Sequence, residues 1–436
     1  MKTENALLFI ALASDVAYPL LSWKLGLPEQ FRLVSQAAIL ILVIIGLFRS
    51  LRLRNFPFVW LMLAMWLIFS SIQALTAGQS FGATVLGLYV WLRYPLLGLY
   101  AYTRPKRFPE FDRHIYSAVL FLVGLNLLIQ VAQFVGGEIP GDNLAGFWGL
   151  KGSNNLASFI CVALAIAFGN WIIKGPSRGL WILIGMSIIS SVLAETKIFL
   201  VVIALTGILA ILLYSYKRKR ILSGVSLSIL LLISSVVFIQ LYDVIFHPQG
   251  AGLSSYLRLD NLIAYLSTSN QNNGTISYIG RWVQFGYTWK LINQTPTTLL
   301  IGLGIGSLET SRSLGVSGVT LLTSSLGVFG ANTLTALIGD FGLIGIIVMF
   351  ILFTRIALSL FSIRSDQDQE ALNIGLAIFI CTLPLWMFYM YIWVTPITML
   401  IFWFGVGQEI KSSRIRVRPL ALTHTQVHQS EPFETF

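Results

Sequence analysis

Cysteine is nearly absent. The two present, Cys161 and Cys381, each sit inside an apolar run and leave no material for a disulfide framework or a thiolate metal site. Charge is scarce too: 11% of the 436 residues are Asp, Glu, Lys or Arg, against about 25% in soluble domains. That shortage, with 56% hydrophobic residues and a mean hydropathy of +0.78, excludes a soluble globular domain. Acidic residues number 18 against 29 basic ones. The basic residues form short clusters between apolar runs and build no continuous patch, so no nucleic-acid partner is expected. The first apolar run follows a single Lys and lacks a small-residue cleavage pattern, so it is read as a retained span.

Long hydrophobic runs are what the chain has instead. A span needs about 20 apolar residues to cross the hydrocarbon core. Twelve stretches meet that expectation, approximately 5–23, 33–48, 56–76, 82–102, 115–135, 154–173, 179–194, 198–216, 221–242, 328–353, 371–390 and 394–409. The fold class expected is therefore an all-α integral membrane protein of about 12 transmembrane helices, occupying residues 1–410. Alternate junctions carry 20 of the 29 basic residues, including Arg49, Arg52 and Arg54 and the run 217–220. The positive-inside rule makes those junctions cytoplasmic and, with an even number of spans, both termini as well. The polar tail 411–436 is expected to be a disordered cytoplasmic extension.

Two exterior segments follow from this topology. The loop 136–153 has the Gly, Pro and Asn content of an ordered turn. Residues 243–327, between spans nine and ten, form a far larger insertion, and connections of that length are usually functional or disordered. Within it lies GRWVQFGYTWKLINQTPTTLLIGLGIGSLE, from Gly280 to Glu309. Read as a helix over about 280–293, it carries Trp282, Phe285, Trp289 and Ile292 on one stripe, with Gln284, Thr288 and Lys290 off its centre. Such a helix suits a membrane interface and would hold Arg281 at a defined height beside the bilayer. The Gly302, Gly304, Gly306 turn lacks the strand and second half of a dinucleotide fingerprint. It is expected to return the chain to the interface, with N–H groups of Gly304 and Gly306 facing a phosphate.

Arg281, the Trp-containing segment, Pro296, the G-x-G-x-G turn and, further on, Asp340-Phe-Gly342-Leu-Ile-Gly345 together resemble the bacterial O-antigen ligase and polymerase superfamily. The resemblance is confined to about 280–350, with span count and loop placement agreeing elsewhere. It implies transfer of an oligosaccharide from undecaprenyl diphosphate at the outer face of the bacterial cytoplasmic (inner) membrane, without cofactor or metal. The partners implied are that carrier-linked oligosaccharide, the lipid bilayer and other polysaccharide-assembly proteins. A polymerase would pass the chain to a second carrier-linked unit; a ligase would pass it to a lipid core. A lipid-linked-sugar flippase or other secondary transporter is the alternative class, since twelve spans also suit it, but no repeated halves with broken spans are evident.

A departing diphosphate gains charge, so fixed cations near it favour the transition state, and the planar arginine fork suits phosphate oxygens best. Arg281 is the first candidate, both catalytic and substrate-binding, with Trp282 beside it. Lys197, in Glu195-Thr196-Lys197, stands where the resemblance places an Arg and keeps the charge without the fork. Arg93, midway through span four, either marks a functional site or pairs with Asp15. For the general base, the family often carries His-Asn before the last motif, whereas here the pair is Ala331-Asn332. That departure bears against the ligase reading and leaves His247, Glu309, Asp340, Asp260 and Glu195 as candidates, with Asn332 retained as substrate-binding. Asp340 also has a purely structural reading, as a charge at a helix start.

The topology is testable directly. In intact cells Asn272→Cys should react with an impermeant thiol reagent and Lys219→Cys should not; equal labelling of both overturns the assignment.

Overall fold

The structure is a computed structural model. It describes residues 2–423 except 27, 29–30, 54–56, 106–108, 140, 142, 150–151, 195–196, 247–258, 268, 273–274, 312–315, 319–331 and 363–365. Each of the twelve apolar stretches holds a helix among its described residues: α1 (Lys2–Leu25), α2 (Arg32–Ser50), α3 (Phe58–Thr76), α4 (Phe81–Thr103), α5 (Pro109–Val135), α6 (Ser153–Lys174), α7 (Arg178–Leu193), α8 (Lys197–Lys217), α9 (Ile221–Phe246), α13 (Thr333–Ser362), α14 (Gln367–Tyr389) and α15 (Pro396–Thr423). Between α9 and α13 lie α10 (Leu259–Ser267), α11 (Arg281–Ile292) and α12 (Pro296–Ile301). The same interval holds two small antiparallel pairings, Ser269–Asn272 with Thr275–Ile279 and Thr310–Ser311 with Val316–Ser317.

Among the described residues six helices are long and apolar enough to cross a membrane, within α2, α3, α5, α6, α13 and α14, and α7, α8 and α9 hold shorter apolar stretches. The fold is that of a multi-pass membrane protein. α1, α4 and α15 fall outside both sets, and acidic side chains of α1 and α15 are bonded inside the bundle. Arg49 on α2 grips both oxygens of Glu4, the Ser35 hydroxyl donates to Asp15 at 2.5 Å, and Gln369 donates to Glu409 at 2.5 Å.

Apolar attraction cannot drive helices together in lipid, so close backbone approach does much of that work. A Cβ on Gly169 of α6 would stand 2.1 Å from the Ala371 carbonyl of α14, and one on Gly407 of α15 would stand 2.0 Å from the Gly98 carbonyl of α4. α6 and α14 are the most deeply buried of the six long apolar helices and form the centre of the bundle. At one end, ion pairs join Lys174 to Asp368 and Lys217 to Glu370, and Lys411 donates to the Arg104 carbonyl, so several of the basic junctions share that end.

The loop 136–153 turns back into the bundle. Gln133 clamps Gly146 reciprocally, amide to carbonyl and oxygen to N–H at 3.0 Å each, and Asn126 accepts from the Phe147 N–H. Phe147 and Trp148 are buried as a result.

Pro95 and Gly342 break the regular pattern of α4 and α13, and Pro384 lies inside α14. Pro95 in α4 has no N–H, which strands the Trp91 carbonyl one turn earlier. The Trp393 indole N–H caps that carbonyl at 3.1 Å. In α13, Gly342 takes φ 63°, ψ −157° and splits the helix into Thr333–Phe341 and a longer second part. The glycine turn docks at this break. Leu303 N–H donates to the Gly339 carbonyl at 2.7 Å and Gly304 N–H to the Asp340 carbonyl at 3.1 Å. From the other side, Gln73 and Gln79 donate to the carbonyls of Gly302 and Gly306 at 2.6 and 2.7 Å. The turn is thus buried between α3, α4 and α13 instead of lying open at the interface.

Gly306 and Gly78 have nearly the same φ, +83° and +80°, but a Cβ on Gly306 would meet the Ala83 carbonyl at 2.1 Å while one on Gly78 meets nothing within 4 Å. A left-handed Ala alone costs about 1–2 kcal/mol. Gly78→Ala should therefore lower the unfolding temperature of the purified protein slightly, and Gly306→Ala should lower it much further or abolish folded protein. Equal shifts would show that the turn is not tightly docked.

Candidate functional site

The last residue of α14 and the two that lead into the short 3-10 turn Ile392–Val394 gather the elements of the site. α14 ends at Tyr389, and Met390 is extended, at φ −147° and ψ 170°. Arg281 Nε donates to the Tyr389 carbonyl at 2.7 Å, and its guanidinium carbon lies 3.9 Å from the Tyr389 ring centroid. Thr333, at the head of α13, donates its N–H and hydroxyl to the Met390 carbonyl, each at 3.1 Å. The Tyr391 hydroxyl donates to Glu309 Oε1.

Glu309 follows the glycine turn and is buried. Loss of water pushes its carboxyl up to about 7, against an ordinary 4.5. The nearby Asp340 charge adds to that rise, while the Tyr391 hydrogen bond and the Arg93 charge oppose it. The Tyr391 hydroxyl is itself held well above its usual range by burial and by the charges of Glu309 and Asp340, so it stays a donor. A buried carboxyl balanced near neutrality beside a fixed donor can take a proton from a hydroxyl and return it.

Asp340 has a different environment. Trp91 Nε1 donates to Oδ2 at 3.0 Å, and the Ser307 N–H and hydroxyl donate to Oδ1 at 3.1 and 2.9 Å. Both oxygens are engaged and the residue is fully buried. These bonds give Asp340 a structural place in the site, and they correct its reading as a helix-start charge, since it stands at the end of the first part of α13. Asp340 fastens the glycine turn to α4 and α13. Gly304 is likewise reassigned, because its N–H serves the Asp340 carbonyl and not a phosphate; Gly306, buried against α4, belongs to the same docking surface.

The aromatic stripe on α11 differs from expectation as well. Gln284, Thr288 and Ile292, spaced four apart, form the buried face, packed where α11 meets α13. Trp282, Phe285 and Trp289 form an outward ladder with centroid steps of 5.6 and 6.1 Å, and Trp282 is 58% exposed. Ile292 leaves the stripe because the helix turns its polar face inward. An outward ladder still suits a membrane interface.

The remaining candidates are scattered. Arg93 forms no ion pair with Asp15; its guanidinium stacks on the rings of Tyr89 and Tyr94 at 5.5 and 4.6 Å. Asn332 is buried and accepts from the Thr335 N–H at 2.8 Å, capping α13, while its Nδ2 has no partner. Lys197 opens α8, but its side chain lies outside the described residues, as do His247, Glu195 and Ala331. Asp260 is exposed at the start of α10. Among the described residues no three His, Cys, Asp or Glu side chains stand together as metal ligands. Tyr389, Tyr391 and Trp91 were not among the candidates read from sequence. The one signal for the tyrosines is Met390–Pro396, a short aromatic stretch between two apolar runs that ends in a Thr-Pro helix start.

The fold and site define a multi-pass membrane protein with a buried acid–phenol pair beside an anchored arginine. No family model matches this chain, and no curated protein matches it.

A carboxyl raised on folding binds its proton more tightly in the folded state. The cost of its charged form is absent below about 4.5, grows as pH rises to about 7 and is complete above that. Glu309→Gln should therefore raise the unfolding temperature of the purified protein at about pH 8 and leave it little changed near pH 4.5. An offset independent of pH would show that Glu309 does not titrate in this interval.

Proposed function

We propose that the protein is an integral-membrane glycosyltransferase that polymerises a polysaccharide from undecaprenyl-diphosphate-linked units on the outer face of the bacterial cytoplasmic membrane. The observation that carries the reading is the buried Glu309–Tyr391 pair on the same three-residue joint that anchors Arg281. In the reaction, the acceptor hydroxyl oxygen forms the new bond to the anomeric carbon as the bond to the diphosphate breaks. The hydroxyl proton passes to the Glu309 carboxylate, and the electron pair leaves on the diphosphate oxygen. Arg281, at the positive N-terminal end of α11, stabilises that departing charge. Tyr391 holds the carboxylate oriented. With Glu309 as base, nothing is asked of position 331, where a ligase would be expected to carry His, and this favours the polymerase over the ligase.

The test is to incubate purified protein with carrier-linked repeat units and size the products, with membrane protein level measured alongside. Removing the base should cost on the order of 10²–10⁴ in rate, so Glu309→Gln should leave mostly unpolymerised repeat. Arg281→Ala should abolish transfer and Arg281→Lys should impair it badly, because a point charge does not replace the fork. Lys197→Arg should be tolerated. Wild-type rates in both Glu309→Gln and Arg281→Ala would rule the mechanism out.

A further inference from the structure

α2 and α4 part along their outer faces and leave a groove of about 710 Å³. Ile44 and Leu47 line it from α2, Val85 and Leu96 from α4, and Val316 from the loop above. Two polar side chains interrupt this apolar wall, Tyr89 and Arg93, four residues apart and so on one face of α4. The Tyr89 hydroxyl oxygen and Arg93 Nε are both sealed from solvent with no partner at full hydrogen-bond geometry, and the nearest polar group to each is the other residue's side chain. Ring stacking offsets part of the cost of burying the guanidinium, but it supplies no acceptor. No carboxylate forms an ion pair with Arg93 among the described residues. An apolar trough with an unmet cationic donor and an unmet hydroxyl half-way along it matches a hydrocarbon chain that ends in an anion.

The position adds a second argument. Trp91, two residues before Arg93, reaches Asp340 inside the bundle, while Arg93 lines the outer groove. The Arg93 charge is nevertheless felt at Glu309 and at Tyr391. An anion bound at Arg93 would therefore stand within electrostatic reach of the acid–phenol pair, with its chain in the groove.

We propose that the α2–α4 groove holds the chain of a polyprenyl phosphate, with Arg93 Nε and the Tyr89 hydroxyl donating to its phosphate. This rests on the polymerase reading for the choice of a polyprenyl chain, and it makes the groove the lateral path by which the carrier lipid reaches the site. One groove with one cation suits one chain and one headgroup, and so disfavours a two-chain phospholipid.

The test uses the full-length protein in detergent and a polyprenyl phosphate bearing a diazirine on its chain, with labelled positions mapped by mass spectrometry. Label is expected within 39–47 and 81–96. Arg93→Ala should reduce it about tenfold or more, as for loss of a hydrogen bond to a charged group, and Arg93→Lys should reduce it less. Ile44→Trp, which fills the groove without touching the cation, should also block labelling, so the proposal does not depend on the folding of Arg93 variants. The matching polyprenol, without phosphate, should label weakly and be insensitive to Arg93→Ala. Label outside α2 and α4, or displacement by phosphatidylglycerol as effective as by unlabelled polyprenyl phosphate, overturns the assignment. Groove labelling without sugar transfer would count against the polymerase reading and leave the groove standing; transfer with labelling elsewhere would do the reverse.

Discussion

A backbone polar group inside a membrane has no water to turn to, so a broken helix there must be repaired by protein. The break at Gly342 is the point on which the rest of the structure depends. It leaves the carbonyls of Gly339 and Asp340 without helical partners, and the N–H groups of Leu303 and Gly304 supply them. The glycines follow from this arrangement. A Cβ on Gly302 would meet the Phe341 nitrogen at 2.5 Å, and one on Gly304 the Ala74 Cα at 2.4 Å. The turn can approach three helices at once only because it presents bare backbone to all of them. Its own carbonyls then fall within reach of Gln73 and Gln79, so the repair is closed on every side.

Two carboxyl groups share this neighbourhood, and their surroundings set them apart. Asp340 receives three donors from Trp91 and Ser307, which tie both of its oxygens into the scaffold. Glu309 receives the Tyr391 hydroxyl alone, and burial outweighs it, so its proton is held near neutrality. The three donors that fix Asp340 in place have no counterpart at the Glu309 side chain, among the described residues, beyond the Tyr391 phenol.

The helices were legible because hydrocarbon imposes length and composition on each span. The twelve runs read from sequence and the twelve helices agree in place, although α13 begins at Thr333 and extends to Ser362. What joins them was not legible. Gly302–Gly306 and Asp340–Gly342 stood out as separate strings, and nothing in a one-dimensional pattern says that one caps the other across more than thirty residues. On α11 the stripe of Trp282, Phe285 and Trp289 was legible and faces outward, but Ile292 was misplaced on it, because the helix buries the face that carries Gln284 and Thr288. Tyr391 had no periodicity to mark it, because its role comes from the fold bringing Glu309 to it.

α4 connects these features. Pro95 removes one N–H from a helix that must satisfy its backbone internally, and the freed Trp91 carbonyl recruits Trp393, just past the Tyr389–Tyr391 joint. The Trp91 indole points the other way and holds Asp340, so one residue links the α13 break to the segment that anchors Arg281 and Glu309. Its ring also packs against Phe341 at 5.2 Å and Trp393 at 5.3 Å, a rigid aromatic floor beneath both docking points. Two faults in the helices, a proline in α4 and a glycine in α13, are thus mended by neighbours that also carry the candidate site. A substitution that relaxed either fault into regular helix would withdraw the partners that the other needs, and so the interruptions hold the acid–phenol pair in register instead of merely tolerating it.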